Sequence, residues 1–189
     1  MPRKPLATDD QIMQASIRVL MRRGHDGFTL SEVAREVGLS RAAIILRFKS
    51  TQDLQRRLTT YVVDQFIQRL EALPAARSGD SLLELVAFIG GLVSTPGSMT
   101  AFMRAFHTNI ADPELLKLEE RRGDALRVAV SKRMPETRIA HESAVAAFMA
   151  HIGGSLIQWE VQATPDAREF LVARTRDWLA LAGIAHRPA

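Results

Sequence analysis

The 189-residue chain has no cysteine. That excludes disulfides, zinc–thiolate sites, iron–sulfur clusters and cysteine nucleophiles. Long apolar runs are also missing. The longest, 143–157, is broken by His151 and by Gly153-Gly154, and it falls short of the roughly 18 clean apolar residues a membrane span needs. The basic start, with Arg3 and Lys4, leads into Asp9 and Asp10 rather than an apolar segment, so no secretory signal is expected. Aromatic residues amount to 6%. Enzyme signatures are lacking too: there is no phosphate-loop glycine–lysine motif, no GxGxxG and no HExxH. The five histidines, 25, 107, 141, 151 and 186, show no i,i+4 pairing. The expectation is a soluble, cytoplasmic protein that is not an enzyme and carries no cofactor or metal.

What is present is an ordinary globular composition, 47% hydrophobic and 24% charged, too apolar for a disordered chain. A folded chain of this size should bury about 70% of its unfolded surface, so a core forms without covalent staples. The net charge of +4 is unevenly placed. Residues 1–57 hold eleven Lys/Arg and six Asp/Glu, whereas the remainder holds fourteen and fifteen. The whole positive excess therefore lies in the first third, the pattern of a segment that meets a polyanion.

The pattern is helical throughout and predicts an all-α fold of about nine helices. Thr8 caps a first helix over 9–23, which Gly24 ends. Thr29-Leu30-Ser31-Glu32 reads as a reciprocal capping box for the second, with Phe28 stapled onto Val33 and Gly38 as its left-handed stop. Ser40 caps a short third helix, 41–47. Two short helices joined by Gly-Leu-Ser form a helix-turn-helix pattern. Ser50 and Asp53 start a long fourth helix with Leu54, Leu58, Tyr61, Val62, Phe66 and Leu70 on its apolar face, ending before Pro74. A linker at 75–79 precedes helices over about 81–93, 96–109 (opened by Pro96), 113–133 (capped by Asp112, opened by Pro113) and 138–162. Thr164 and Pro165 are expected to open the ninth, which ends near Gly183.

Residues 24–48, GHDGFTLSEVAREVGLSRAAIILRF, carry a specific pattern. A glycine and an aromatic precede a threonine; an apolar–alanine pair follows; a second glycine leads into an apolar–serine pair; a phenylalanine closes the third helix. In this, residues 9–70 resemble the N-terminal part of the tetracycline-repressor (TetR) family of transcription regulators. The resemblance implies a helix-turn-helix DNA-binding domain, 1–55, joined by the fourth helix to a larger helical regulatory and dimerisation domain, 56–189. It also implies a homodimeric repressor on a palindromic DNA operator, released by a small apolar or amphipathic inducer. The chain departs from the family pattern at Ile45 (usually tyrosine), Arg47 (usually histidine), Thr51 (usually lysine) and Ala42-Ala43 (usually Gly-Thr). A helical interaction protein of the same fold, with weakened or lost DNA binding, is the alternative.

The candidate DNA-binding residues are Thr29, Ser40, Arg41, Ala42, Ala43, Ile45, Leu46, Arg47, Lys49 and Thr51. Arg41 has the fork that pairs with guanine O6 and N7. Thr29, Lys49 and Thr51 sit near helix starts, natural phosphate seats. Arg41, Arg47 and Lys49 lie close by and offer charge in place of the absent tyrosine and lysine. Ile45 fits either a thymine methyl or the domain core, with the core slightly ahead. Arg3 and Lys4 form a basic arm or a frayed end. Phe66, Phe88, Phe102, Met103, Phe106, His107, Met149 and Trp159 are candidates to line an apolar inducer pocket, or else belong to the core, with His151 a second polar candidate. Phe148, Ile152, Leu156, Phe170, Trp178 and Leu181 are candidate dimer contacts, or else core, and Gly153 and Gly154 would permit close helix approach.

Overall fold

The computed structural model describes residues 7–24, 27–93, 97–162 and 166–187. Nine helices and no strand occur among them: α1 (Asp9–Arg23), α2 (Leu30–Val37), α3 (Arg41–Arg47), α4 (Thr51–Glu71), α5 (Gly79–Leu92), α6 (Ser98–Ile110), α7 (Pro113–Arg133), α8 (His141–Gln162) and α9 (Ala167–Ala182). The basic arm at Arg3 and Lys4, the helix start at Pro96, and the Thr164-Pro165 start lie outside the described residues. The cap observed on α9 is Asp166, whose carboxylate accepts from Arg168 N and Glu169 N.

The chain divides into two compact units, 1–65 with 105–119, and 66–104 with 120–189. In the first, α1 is closed by a reciprocal box between Thr8 and Gln11 and stops at Gly24. Ile12, Ala15 and Val19 on its inner face are buried. At α2 only half of the expected box forms. Thr29 Oγ1 accepts from Glu32 N at 3.2 Å, while the Glu32 carboxylate turns to Arg35 and Arg23. Two guanidinium groups outcompete one backbone N–H for that carboxylate, because charge-assisted bonds are the stronger. Glu36 on α2 accepts from Arg18 Nε and Arg22 Nη2, both at 2.8 Å, which ties α2 to α1. These two bonds hold its carboxyl below the usual glutamate range. Tyr61 on α4 completes the frame: its hydroxyl donates to Asp10 Oδ1 at 2.5 Å and accepts from Gln14 Nε2 at 2.8 Å.

Along α4 the buried valine is Val63, and Val62, expected inside, faces solvent. Leu54 and Leu58 are buried as expected. In the same unit Arg56 bonds Asp112 at 3.1 Å and Glu114 at 2.7 Å. Gln52 also donates to Asp112, whose other oxygen caps α7 at Glu114 N, 2.9 Å.

The second unit has a larger core, formed among others by Leu82, Leu85, Val86, Val130, Met134, Phe148, Ile152, Trp159, Leu171 and Leu179. Arg133, 2% exposed, donates to Ala129 O, Leu73 O and Pro74 O. A cation beside the chain that leaves α4 answers carbonyls that have no helical partner, and burial lowers its pKa. Helices α5 and α9 meet at Gly90. A Cβ there would stand 2.6 Å from Arg168 Cα and 2.9 Å from its N. That neighbour is backbone, which cannot swing aside.

Gly90→Ala is therefore expected to cost about 1–3 kcal/mol through overpacking, read as a lower Tm in calorimetry. Truncation of the fully buried Ile44 to alanine is expected to cost about 2–5 kcal/mol in urea unfolding.

Candidate nucleic-acid interface

The turn between α2 and α3 is set by Gly38, in the left-handed conformation at φ 74°, ψ 27°. There the N–H of Leu39 reaches back to Ala34 O at 2.9 Å. A residue with a Cβ pays a steric penalty in this region. Ser40 then starts α3, its Oγ accepting from Ala43 N at 3.1 Å. A helix of seven residues cannot support itself in water. It is held by Ile44 and Phe48, both sunk in the core of the first unit.

Burying Ile44 and Phe48 determines what the other face shows. Ser40, Arg41, Ala42, Ile45, Leu46 and Lys49 are exposed, as is Thr29 at the start of α2. Ala43, Arg47 and Thr51 are half-buried. Ile45, favoured for the core, is instead 38% exposed, and its neighbour Ile44 takes the core position. Leu46 is 88% exposed. Arg47 is not free charge on this face: its Nη1 bonds Ala7 O at 2.5 Å and Asp9 Oδ1 at 3.3 Å. The cap of α4 is Ser50, which accepts from Asp53 N at 3.0 Å, while Asp53 accepts from Lys49 N at 3.1 Å. Thr51 therefore lies inside the first turn.

The ion pairs sort the cations. Arg18, Arg22, Arg23, Arg35, Arg47, Arg56 and Arg57 each have a carboxylate partner. Among the described Lys/Arg residues before position 58, Arg41 and Lys49 are left without one. They bracket α3.

The other expected sites fare differently. Phe148 and Ile152, expected as dimer contacts, are buried in the core of the single chain, and a side chain with no surface left cannot form an interface. Leu156, Phe170 and Trp178 are partly buried against that core, with Trp178 edge-on to Phe148 at 4.9 Å. Leu181 is 89% exposed. The outward face of α8 carries Ala146, Ala147, Ala150, Gly153, Gly154, Ile157 and Val161, and a Cβ at either glycine would meet nothing within 4 Å. Ile157, Val161 and the alanines are absent from the expected interface. That α8 has an uncharged outer face was legible in the sequence: no Asp, Glu, Lys or Arg occurs between Glu142 and Glu160.

Of the expected pocket residues, Trp159 is a core residue, and Met103 and His107 are exposed. Phe66 and Phe88 stack at 6.3 Å, and both pack with Phe102 and Met149 on the second core. Phe106 is half-buried in the first unit. None of the eight lines the cavity of about 380 Å³ at Arg77, Pro135, Glu136, Thr137, Ile139 and His141, nor the one of about 100 Å³ beside Leu70 and Lys132. His151 bonds Thr175 Oγ1 at 3.1 Å and stacks on Trp178; burial lowers its pKa. Among the described residues no helix is long and apolar enough to cross a membrane.

Residues 12–58 match the family of bacterial regulatory proteins, tetR family. The chain is 30% identical over 111 residues to the HTH-type transcriptional regulator AlkX of Mycobacterium tuberculosis. That match covers 58% of this chain and spans about half, 51%, of the relative's length. The fold is similar to that of a TetR transcription regulator from Haloarcula marismortui, with a TM-score of 0.73 at 15% identity over 93% of this chain and 97% of that one. It is also similar to the transcriptional regulator FadR of Bacillus subtilis in complex with stearoyl-CoA, with a TM-score of 0.64 at 17% identity over 94% of this chain and all of that one. The family match thus lies on the N-terminal segment that holds α1 to α3 and the start of α4.

Proposed function

We propose that this protein is a DNA-binding transcriptional regulator that acts as a homodimeric repressor on a palindromic operator. The observation that carries the reading is the pair of described cations without a carboxylate partner, Arg41 at the start of the outward-facing α3 and Lys49 just past its end. A helix of this kind enters the major groove with its first residues toward the base edges. Arg41 is the residue for a guanine, and Lys49 for a phosphate. Thr29 and Ser40 supply hydroxyls close to the backbone. Arg47 keeps the start of α1 against α3 and acts through position, not contact.

Two half-sites about 34–36 Å apart require two reading heads. The uncharged outer face of α8, with Leu181 on α9, supports a second copy of this chain as the partner. Small residues let two such helices approach closely, and Ile157 and Val161, 52% and 80% exposed, supply apolar area. The inducer in this reading is a small apolar or amphipathic molecule, and the acyl-CoA carried by the FadR relative supports that chemistry. Such a molecule releases DNA only if it binds the DNA-free state more tightly.

Selection from genomic duplex fragments at low salt is expected to enrich palindromes with half-sites about one helical turn apart. No enrichment would favour the alternative of a helical interaction protein. Arg41→Ala should weaken operator binding by about tenfold or more, as loss of a bidentate base contact does. Lys49→Ala should flatten the log–log salt dependence by about 0.9 for each phosphate contact removed. In light scattering the protein should show twice the 21.0 kDa chain mass, and Ile157→Glu should return it to one chain mass with unchanged helicity. A monomeric unmodified protein would overturn the dimer. Stearoyl-CoA, as the first inducer probe, should raise the Tm and displace labelled operator.

A further inference from the structure

We propose that α3 reads thymine methyl groups, with Leu46 and Ile45 as the specificity-determining side chains beside the guanine contact of Arg41. This rests on the DNA-binding reading above and names the base chemistry it selects. Between Arg41 and Lys49 the outward face of α3 consists of Ala42, Ile45 and Leu46. None of these side chains donates or accepts a hydrogen bond. The face therefore has no acceptor for the amino groups of adenine or cytosine, and its donors stand only at its two ends. Of the features that base pairs present in the major groove, the one an aliphatic side chain recognises is the C5-methyl of thymine.

The exposure of Leu46 points the same way. Among the described residues of the first unit nothing covers it, whereas Ile44 on the same short helix is fully buried. An aliphatic side chain so far out gains nothing in the free chain and gains area only against a partner. The unpartnered cations on either side make that partner a polyanion, so the apolar strip is expected to lie between phosphate rows, as the floor of the major groove does. Spacing sets the register. Arg41 and Ile45, like Ala42 and Leu46, are one turn apart, about 6 Å along the axis. At about 3.4 Å per base-pair step, the guanine and the thymines lie about two base pairs from each other.

The test uses the enriched operator with each half-site thymine replaced in turn by uracil, which removes the methyl and nothing else. Affinity is measured by fluorescence anisotropy with the unmodified protein and with Leu46→Ala and Ile45→Ala. One or two thymines in each half-site are expected to lose about three- to fivefold in affinity on replacement, the worth of a buried methyl. Leu46→Ala is expected to bind the uracil and thymine forms equally at one of those positions, while keeping the Tm of the unmodified protein. An enriched operator indifferent to uracil everywhere overturns the methyl reading and leaves DNA binding standing. Absence of any enriched duplex at low salt overturns both. A change in solution mass with Leu46→Ala assigns the side chain to a contact between chains and overturns it as well.

Discussion

The helix-turn-helix depends on how α3 is anchored. Seven residues cannot hold a helix on their own, so the helix exists because Ile44 and Phe48 are buried with Ile12, Val33 and Leu54 and because Ser40 closes its first turn. That anchoring also orients the helix. With Ile44 and Phe48 inward, positions 41, 42, 45 and 46 face out. The left-handed Gly38 fixes the turn that brings α3 against α2. A shift of one residue in this anchoring would bury Ile45 and present a different set of side chains.

Electrostatics then separates scaffold from surface. The first unit has a positive excess, but most of its cations are engaged: Glu36 takes two arginines from α1, Glu32 takes two more, and Asp9 and Asp112 hold Arg47 and Arg56. Exposed pairs of this kind contribute little stability each. Their larger consequence is spatial, because they withdraw charge from the flanks and leave it at Arg41 and Lys49. A charge count along the sequence sees an excess over 57 residues. Among the described residues, the folded chain leaves its unpaired part at Arg41, the first residue of α3, and Lys49, just past the end of that helix.

The second unit illustrates a helix with two apolar faces. The inner face of α8, with Val145, Phe148, Ile152 and Trp159, is the core of its own chain. The outer face is small, uncharged and bare. The aromatic residues of α8 attract attention in a sequence because they are large, yet a large side chain is the one a single chain buries first. The exposed face that remains is made mostly of alanine, glycine and two aliphatic residues with Gln158, which carry no individual signal.

The sequence by itself determined the helical class, the helix bounds to within about three residues wherever they fall among the described residues, the caps at Thr8, Ser40 and Asp112, and the helix-turn-helix pattern. These follow from local chemistry: hydroxyls at helix starts, glycine where φ is positive, apolar spacing near 3.6. Only the tertiary structure decided between Ile44 and Ile45, between Val62 and Val63, and between Arg47 as a free charge and Arg47 as a tie to α1. Adjacent residues on a helix differ by about 100° in direction, and the seven residues of α3 are too few for periodicity to say which of two isoleucines points inward. The partner of a guanidinium is likewise set by what the fold brings within reach, and Ala7 and Asp9 lie some forty residues away along the chain.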